Sequence, residues 1–439
     1  MGLDNAMSAK RKASWLLGIG YWVQGFRGFP WTAVYFFLKD VIKVTPSTLQ
    51  LLQSTVTIPM VLKPFYGVVS DSVYFRSQHR IPYIYLGAIL QSISWFALAF
   101  FRNNSIFMIA FFLTFGDFGA SIAEVANEAI VAELGNQPLS ITGELQSFVW
   151  MMASFGGVLG NLIGGVAVER YSSQTIFLLF GLITLLQFFI TISYSEPSIN
   201  LSNTQSASKT FKKQLLDLAM VMRNPEILKM LFWVSSSFIL VPTLTGSMFY
   251  YQTQALHMDP SLLGISKVVG QGSIIVWSFV YNKRLRNIPA KKLAPLIQSL
   301  MAVFMLSDIL FVKRIYQNHG LPDKVYVVFV SGLMEVLPVF KLLPFSVLVA
   351  QLCPKGHEGS LMAIGSSLVA LSLIIGGYLG AMLAGVSGVT GDNFEALPWA
   401  IIIQAVCTVV PVLFCGIIPN ERKTKNGYGF RYFIFLEGN

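Results

Sequence analysis

The sequence predicts an all-α membrane protein with twelve transmembrane helices in two six-helix halves. Three observations carry that expectation: composition, the length of the apolar runs, and the placement of basic residues. The chain has 439 residues, of which 54% are hydrophobic and only 12% charged, whereas a soluble domain carries about 25% charged residues. Its 31 basic and 21 acidic residues cannot skin the two or three soluble domains that such a length implies. Disorder needs low hydrophobicity and high net charge, and a disulfide scaffold needs more than three cysteines. The net charge of +10 is therefore read as membrane topology and not as nucleic-acid binding.

A spanning helix needs about 20 mostly apolar residues. The first half offers stretches at 14–38, 47–70, 82–101, 105–130, 142–168 and 174–194, and the second at 228–254, 261–281, 293–312, 324–352, 359–385 and 398–418. They are too long for barrel strands and lack period-two alternation. Helices are the other way to satisfy every backbone group in lipid. The segment 195–227 is polar and rich in Ser, Asn and Lys, which sets the expected domains. These are an N-terminal half at 1–194, a cytoplasmic linker at 195–227, a C-terminal half at 228–418 and a cytoplasmic tail at 419–439.

With both termini in the cytoplasm, nineteen Lys and Arg fall in inside segments and seven in outside loops (Lys39, Lys43, Arg102, Arg170, Lys313, Arg314 and Lys324). That asymmetry supports an even number of spans. The short basic start before residue 14 is an n-region at most, with no small-residue cleavage site after it. It is also shorter than a transit peptide. Cys353, Cys407 and Cys415 show no pairing or ligand spacing, and the four His residues do not cluster. There is no phosphate loop, nucleophile elbow or HExxH string, so neither an enzyme nor an ATP-driven pump is expected. Neither a cofactor nor a metal is expected.

Charges inside spans are the functional signal, because they are costly in a bilayer and usually face a cavity or a partner. Glu124 and Glu128 are four residues apart and share one helix face, with Asp117 seven residues earlier on about the same face. Such a carboxylate pair is expected to share a proton, although it could equally glue helices together. Arg27 lies mid-span between Gly25, Gly28 and Pro30, which suggests a locally broken helix. It could bind a substrate carboxylate in bidentate fashion or neutralise Asp117 or Glu124. Lys341 lies between Pro338 and Pro344 and is a second candidate anion site. Six residues separate it from Glu335, so those two need not pair. Lys267 is expected to snorkel to the surface. Trp31 and Trp150, with Phe249, Tyr250 and Tyr251, could stack a flat ring, although most aromatics here serve packing. Gly156, Gly157, Gly160, Gly164 and Gly165, and again Gly376, Gly377 and Gly380, read as close-packing faces at matching places in the two halves.

Six spans, a basic inside loop and six more spans resemble the major facilitator superfamily, whose halves rock around a site at the membrane midplane. The loop from Gly67 through Asp71 to Arg80 resembles that superfamily's inner-gate signature. The resemblance implies that Gly67 permits close helix approach and that Asp71 and Arg80 belong to the gate. No convincing second copy follows at Tyr281–Arg286.

Three stretches narrow the resemblance. They are Lys63-Pro64-Phe65-Tyr66-Gly67 through Ser70-Asp71-Ser72 with Arg80-Ile81-Pro82-Tyr83; Gly143-Glu144-Leu145-Gln146-Ser147 with Trp150 and Gly156-Gly157; and Leu343-Pro344 followed by Cys353-Pro354-Lys355-Gly356-His357-Glu358-Gly359. Together they resemble the folate–biopterin transporter family, over residues 15 to about 418. In the fourth span the chain has Glu124 and Glu128 where that family tends to carry Asp, one methylene shorter. The resemblance implies transport of folates or pterins, by proton coupling or exchange, in a plastid envelope or a cell membrane. The residues by themselves indicate a carrier. Another organic anion as cargo, or a non-transporting scaffold or sensor on the same fold, are the other readings. The expected partners are the small-molecule substrate, protons and lipid; nucleic acid is not expected.

Overall fold

The computed structural model describes residues 2–73, 75, 78, 80–100, 105–135, 144–194, 223–285, 288–352 and 358–419. Among them the secondary structure is helical apart from an isolated bridge between Phe75 and Gln78. Nine helical stretches are long and apolar enough to cross a membrane, and they coincide with nine of the twelve expected spans. Many of their large apolar side chains, Phe107, Met382, Val386 and Val406 among them, are exposed. A soluble chain does not leave such surfaces open, whereas lipid covers them.

The other three expected stretches hold interrupted helices. The first is α1 (Gly2–Phe26) and α2 (Gly28–Phe36), separated by a turn at Arg27 and followed by a π-helical turn, Phe37–Val41. The second is α3 (Pro46–Val56), a 3-10 turn at Ile58–Leu62 and α4 (Lys63–Ser72). Pro59 and Pro64 lack an N–H for a continuous ladder. Then come α5 (Ile81–Phe100), α6 (Ile106–Gly135), α7 (Glu144–Arg170) and α8 (Ser173–Ile192).

The third broken span opens the second half with α9 (Pro225–Ile239), capped by Asn224 Oδ1 accepting from the Glu226 N–H at 3.0 Å. It parts around Pro242 and resumes as α10 (Thr245–Tyr250) with a π-helical turn at Tyr251–Ala255. Next are α11 (Pro260–Val280) and α12 (Ala290–Val312). The tenth expected span is α13 (Asp323–Tyr326), a π turn at Val327–Ser331, α14 (Gly332–Phe340), a turn at Lys341, and α15 (Leu342–Leu352). The chain closes with α16 (Glu358–Val386) and α17 (Leu397–Leu413). The break expected beside Arg27 is thus found at that residue itself, and a second falls at Lys341, between Pro338 and Pro344.

The two halves carry a structural repeat. After its π turn each half places one non-glycine residue in the left-handed region, Lys43 (φ 58) and His257 (φ 48). An extended N-cap follows, Thr45 or Asp259, and then a helix that starts on proline, Pro46 or Pro260. The backbone bonds repeat as well. Ile42 N–H donates to Phe37 O and Leu256 N–H to Tyr251 O, both at 3.1 Å; Val44 N–H donates to Leu38 O at 3.1 Å and Met258 N–H to Gln252 O at 3.0 Å. Every pair is 214 residues apart. The glycine faces repeat too. A Cβ on Gly25 would lie 1.9 Å from Ala153 O of α7, and one on Gly380 of α16 would lie 1.8 Å from Thr243 O beside the break after α9. In each half a glycine-lined helix therefore touches the backbone of the broken span, as the matching glycine runs predict.

The chain forms two compact units, one from within Met1–Val34 and Leu62–Leu216, the other from within Tyr35–Val61 and Asp217–Phe430. The first unit packs α1 against α7 and α5 against α6 and α8. Its core includes Leu16, Tyr66, Ile81, Ile84, Ile122 and Ala126. The second unit takes in α3 because Gln50 Oε1 accepts from the Gly246 N–H at 2.7 Å, Thr55 Oγ1 bonds the Tyr378 hydroxyl at 3.0 Å, and the Tyr250 hydroxyl donates to Val44 O. Its interior is anchored by Trp233, whose Nε1 donates to Pro411 O at 3.0 Å.

Candidate coupling and substrate site

The intramembrane charges of the first unit form one connected cluster. The turn between α1 and α2 frees Arg27 to extend both guanidinium ends toward α6. Its Nη2 pairs with Asp117 Oδ1, and its Nη1 donates to Glu124 Oε1 at 2.9 Å. Lys63, the first residue of α4, reaches the same helix. Its Nζ lies 2.8 Å from Glu124 Oε2 and 3.8 Å from Glu128 Oε1. The cluster runs along one face of α6, as the spacing of its three carboxylates predicts, from Asp117, whose side chain is 2% exposed, to Glu128, which is 56% exposed.

Charge bookkeeping decides what this arrangement can do. Three carboxylates face two cations, so with every group ionised the cluster carries one net negative charge, and one proton makes it neutral. The repulsion that spacing alone suggests between Glu124 and Glu128 is offset by Lys63 between them. The unmet demand is at the other end: Asp117 Oδ2 is buried with no hydrogen-bond partner among the described residues. A buried carboxylate oxygen left in that state is costly and is a place to hold a proton. Lys63 was visible in the sequence as a charge inside the second expected span, yet its role was not. The signal was the arithmetic: Arg27 alone cannot balance three intramembrane acids.

Lys341 sits in a different setting. It is 0% exposed. Its Nζ donates to Ser237 O at 2.8 Å and Gln298 Oε1 at 3.0 Å, and it lies 3.7 Å from the centroid of the Phe238 ring. Gln298 Nε2 in turn donates to Ser237 O and Thr408 O. Neutral groups of α9, α12 and α17 thus surround it, and no carboxylate among the described residues pairs with it. Glu335 is exposed and makes no ion pair with it, as their spacing predicts. Lys267 does not snorkel as expected. Its Nζ lies over the Tyr35 ring, 5.1 Å from the centroid, because that aromatic face offers a partner at depth.

Of the expected gate, Arg80 is buried and its Nη1 donates to Ser70 Oγ at 2.6 Å, which ties the end of α4 to the start of α5. The Asp71 side chain lies outside the described residues. Gly67 does not provide the close approach expected of it: an added Cβ would meet only Val125 Cγ1 at 3.7 Å, an ordinary contact. Trp31 begins the turn after Arg27, its N–H donating to Arg27 O at 3.3 Å. Trp150 is 41% exposed on α7, about two turns before Gly157, so it is not beside Arg27. Tyr251 packs edge-on against Phe311 and Phe394, the packing role expected of most aromatics. Asp308 went unread in the sequence. It lies four residues inside the end of α12 and accepts from the Tyr326 hydroxyl at 3.0 Å.

The profile of the BT1 family matches residues 24–428. The chain belongs to the BT1 family. It is 52% identical over 415 residues to a probable folate-biopterin transporter 7 of Arabidopsis thaliana, covering 94% of each chain. It is 39% identical over 413 residues to a probable folate-biopterin transporter 9, chloroplastic, of the same plant, covering 92% of this chain and 76% of that one. In three dimensions this BT1-family chain matches the crystal structure of the nucleoside transporter NupG (D323A mutant) with a TM-score of 0.69 at 13% identity, over 92% of this chain and 99% of that one. That likeness shows the major-facilitator fold. The family resemblance and the all-helical, major-facilitator-type fold read from the sequence are both borne out, with nine of the twelve expected spans long and apolar enough to cross a membrane among the described residues.

Proposed function

We propose that this protein is a secondary active transporter that moves folates or pterins by alternating access, coupled to protons. The names of its BT1-family relatives support the cargo, and the shared fold supports the transport mode. The nineteen-to-seven basic bias supports cytoplasmic termini. The observation that carries the coupling is the cluster Arg27–Asp117–Glu124–Lys63–Glu128, which is one proton short of neutrality.

Its chemistry suits symport. With Asp117 and Glu124 both ionised, they hold the two ends of Arg27, which then has little left for an anion. A proton taken up at Asp117, whose Oδ2 is unpartnered, releases one end of the guanidinium. A substrate carboxylate then takes that place, with Trp31 one turn away to pack against its ring. The proton brings the cluster to neutrality, so the anion that follows restores the single negative charge; without the proton the anion would add a second one. Glu124 and Glu128, bridged by Lys63, continue the carboxylate row to the exposed end of α6 and give the proton its exit. Lys341, enclosed by neutral groups, braces three helices of the second unit. Gly67, Asp71 and Arg80 belong to the inner gate.

The test is uptake of labelled folate, and separately of a pterin, into proteoliposomes with and without an inward proton gradient. Uptake that rises with the gradient and loses that dependence in Glu124→Gln supports the reading. Gradient-driven uptake unchanged in Glu124→Gln removes the residue from the coupling role. If the well-folded protein takes up neither compound, the cargo is another organic anion.

A further inference from the structure

In the first unit every intramembrane charge of the cluster is paired, and Lys341 is enclosed by neutral acceptors. Lys267 of α11 and Glu335 of α14, both within spans of the second unit, make no ion pair among the described residues. Their helices pack with backbones in contact. A Cβ on Gly332 would lie 2.4 Å from Ser266 O, and one on Gly270 would lie 2.6 Å from Gly332 O. Lys267 follows Ser266 directly, and Glu335 is one turn beyond Gly332, so the two flank this contact line. They converge on one aromatic group. Lys267 Nζ lies over the Tyr35 ring at 5.1 Å, Glu335 is within electrostatic reach of Tyr35, and Phe249 stands 5.5 Å from Tyr35, centroid to centroid. Glu335 is exposed although it sits midway along its span. A carboxylate at that depth faces the bundle interior or a water-filled cavity and not lipid.

We propose that Glu335, Lys267 and Tyr35 form a recognition subsite for the ring of a planar heterocycle, with Glu335 accepting from an adjacent ring N–H and exocyclic amino group. The chemistry selects that class. A carboxylate takes two parallel N–H donors in a bidentate pair, which the amino-oxo edge of a pterin presents and a dioxo ring does not. Tyr35, with Phe249 beside it, offers an offset face for stacking. Lys267, already over the ring, is placed to donate to a carbonyl oxygen or an anionic substituent. The subsite deepens the proposed function and rests on it for the choice of a pterin ring.

The experiment is equilibrium binding of pterin and of lumazine, the analogue with a carbonyl in place of the amino group, to the detergent-purified full chain. Wild-type protein is expected to prefer pterin at least tenfold. Glu335→Gln should lose that preference, mainly by weaker pterin binding, and Glu335→Asp should keep part of it. Lys267→Gln should weaken both ligands severalfold without changing their ratio. Equal binding of the two compounds by wild-type protein, binding of neither, or a preference unchanged in Glu335→Gln would overturn the subsite. The wild-type comparison needs no variant, so a misfolded mutant cannot hide the answer. Selective pterin binding without gradient-driven uptake would leave the subsite standing and sink the transport reading; uptake without selectivity would do the reverse.

Discussion

Arg27 is the residue on which the first unit's charges depend. Removing one partner of a buried ion pair typically costs about 3–5 kcal/mol, because the other charge is left uncompensated. Arg27→Ala leaves Asp117, Glu124 and Glu128 against Lys63 alone and should lower the melting temperature of the purified protein and abolish uptake. The double variant Arg27→Ala/Asp117→Asn removes a charge of each sign, so part of the lost stability should return. Additive losses in that cycle would mean the two residues are not coupled. Lys341 should behave differently. Lys341→Met exchanges a long side chain among neutral groups for an apolar one of similar length, and the Gln298 bonds to Ser237 O and Thr408 O remain. Substrate KM should be unchanged, and a tenfold rise in KM would return Lys341 to the anion site. The sequence made Arg27, Asp117 and Glu124 legible because a charge within an apolar run stands out. It did not show which charges pair, because pairing joins α1, α4 and α6 across as many as 97 residues. Lys63 escaped for that reason, and also because it sits at a break that resembles the end of a span.

The helices with broken backbones do their work at contacts that tolerate no side chain. Gly25 meets α7 with a backbone oxygen 1.9 Å from where its Cβ would stand, whereas Gly67 has 3.7 Å to the nearest side chain. Gly25→Val should therefore destabilise the protein by more than the ~1–3 kcal/mol of ordinary overpacking. Gly67→Ala should be neutral or slightly stabilising, since alanine favours helix by about 1 kcal/mol over glycine. Thermal unfolding in detergent of the two variants side by side checks this; equal losses would contradict the packing described. The breaks at Arg27 and Lys341 were legible from glycine and proline punctuation; the one near Pro242 was not read. The π turns at Phe37–Val41 and Tyr251–Ala255 were not, because no local residue type demands a wide turn. Their equivalence emerges from the shared backbone bonds and from Pro46-Ser47 and Pro260-Ser261, which are too short to register as a repeat by eye.

Fold class was legible at the scale of the whole molecule because lipid leaves few options for a chain this apolar. Nine spans announced themselves by length. The three stretches interrupted after α1, α3 and α9 read as candidate spans only once their pieces are joined, and together with the stretch broken at Lys341 they bring charge or open backbone into each unit. That concentration of broken helices at the start of both halves suits a carrier, in which unwound backbone is found where ions and substrates bind. The proposed coupling rests on one proton, held at Asp117, admitting one substrate anion at Arg27. The most direct test is uptake of labelled folate by proteoliposomes of wild-type protein and of Asp117→Asn, each with and without an inward proton gradient. The account predicts that the gradient accelerates wild-type uptake, while the variant, permanently neutral at that position, still exchanges folate but takes it up equally with or without the gradient. Gradient-driven accumulation persisting in Asp117→Asn would contradict it.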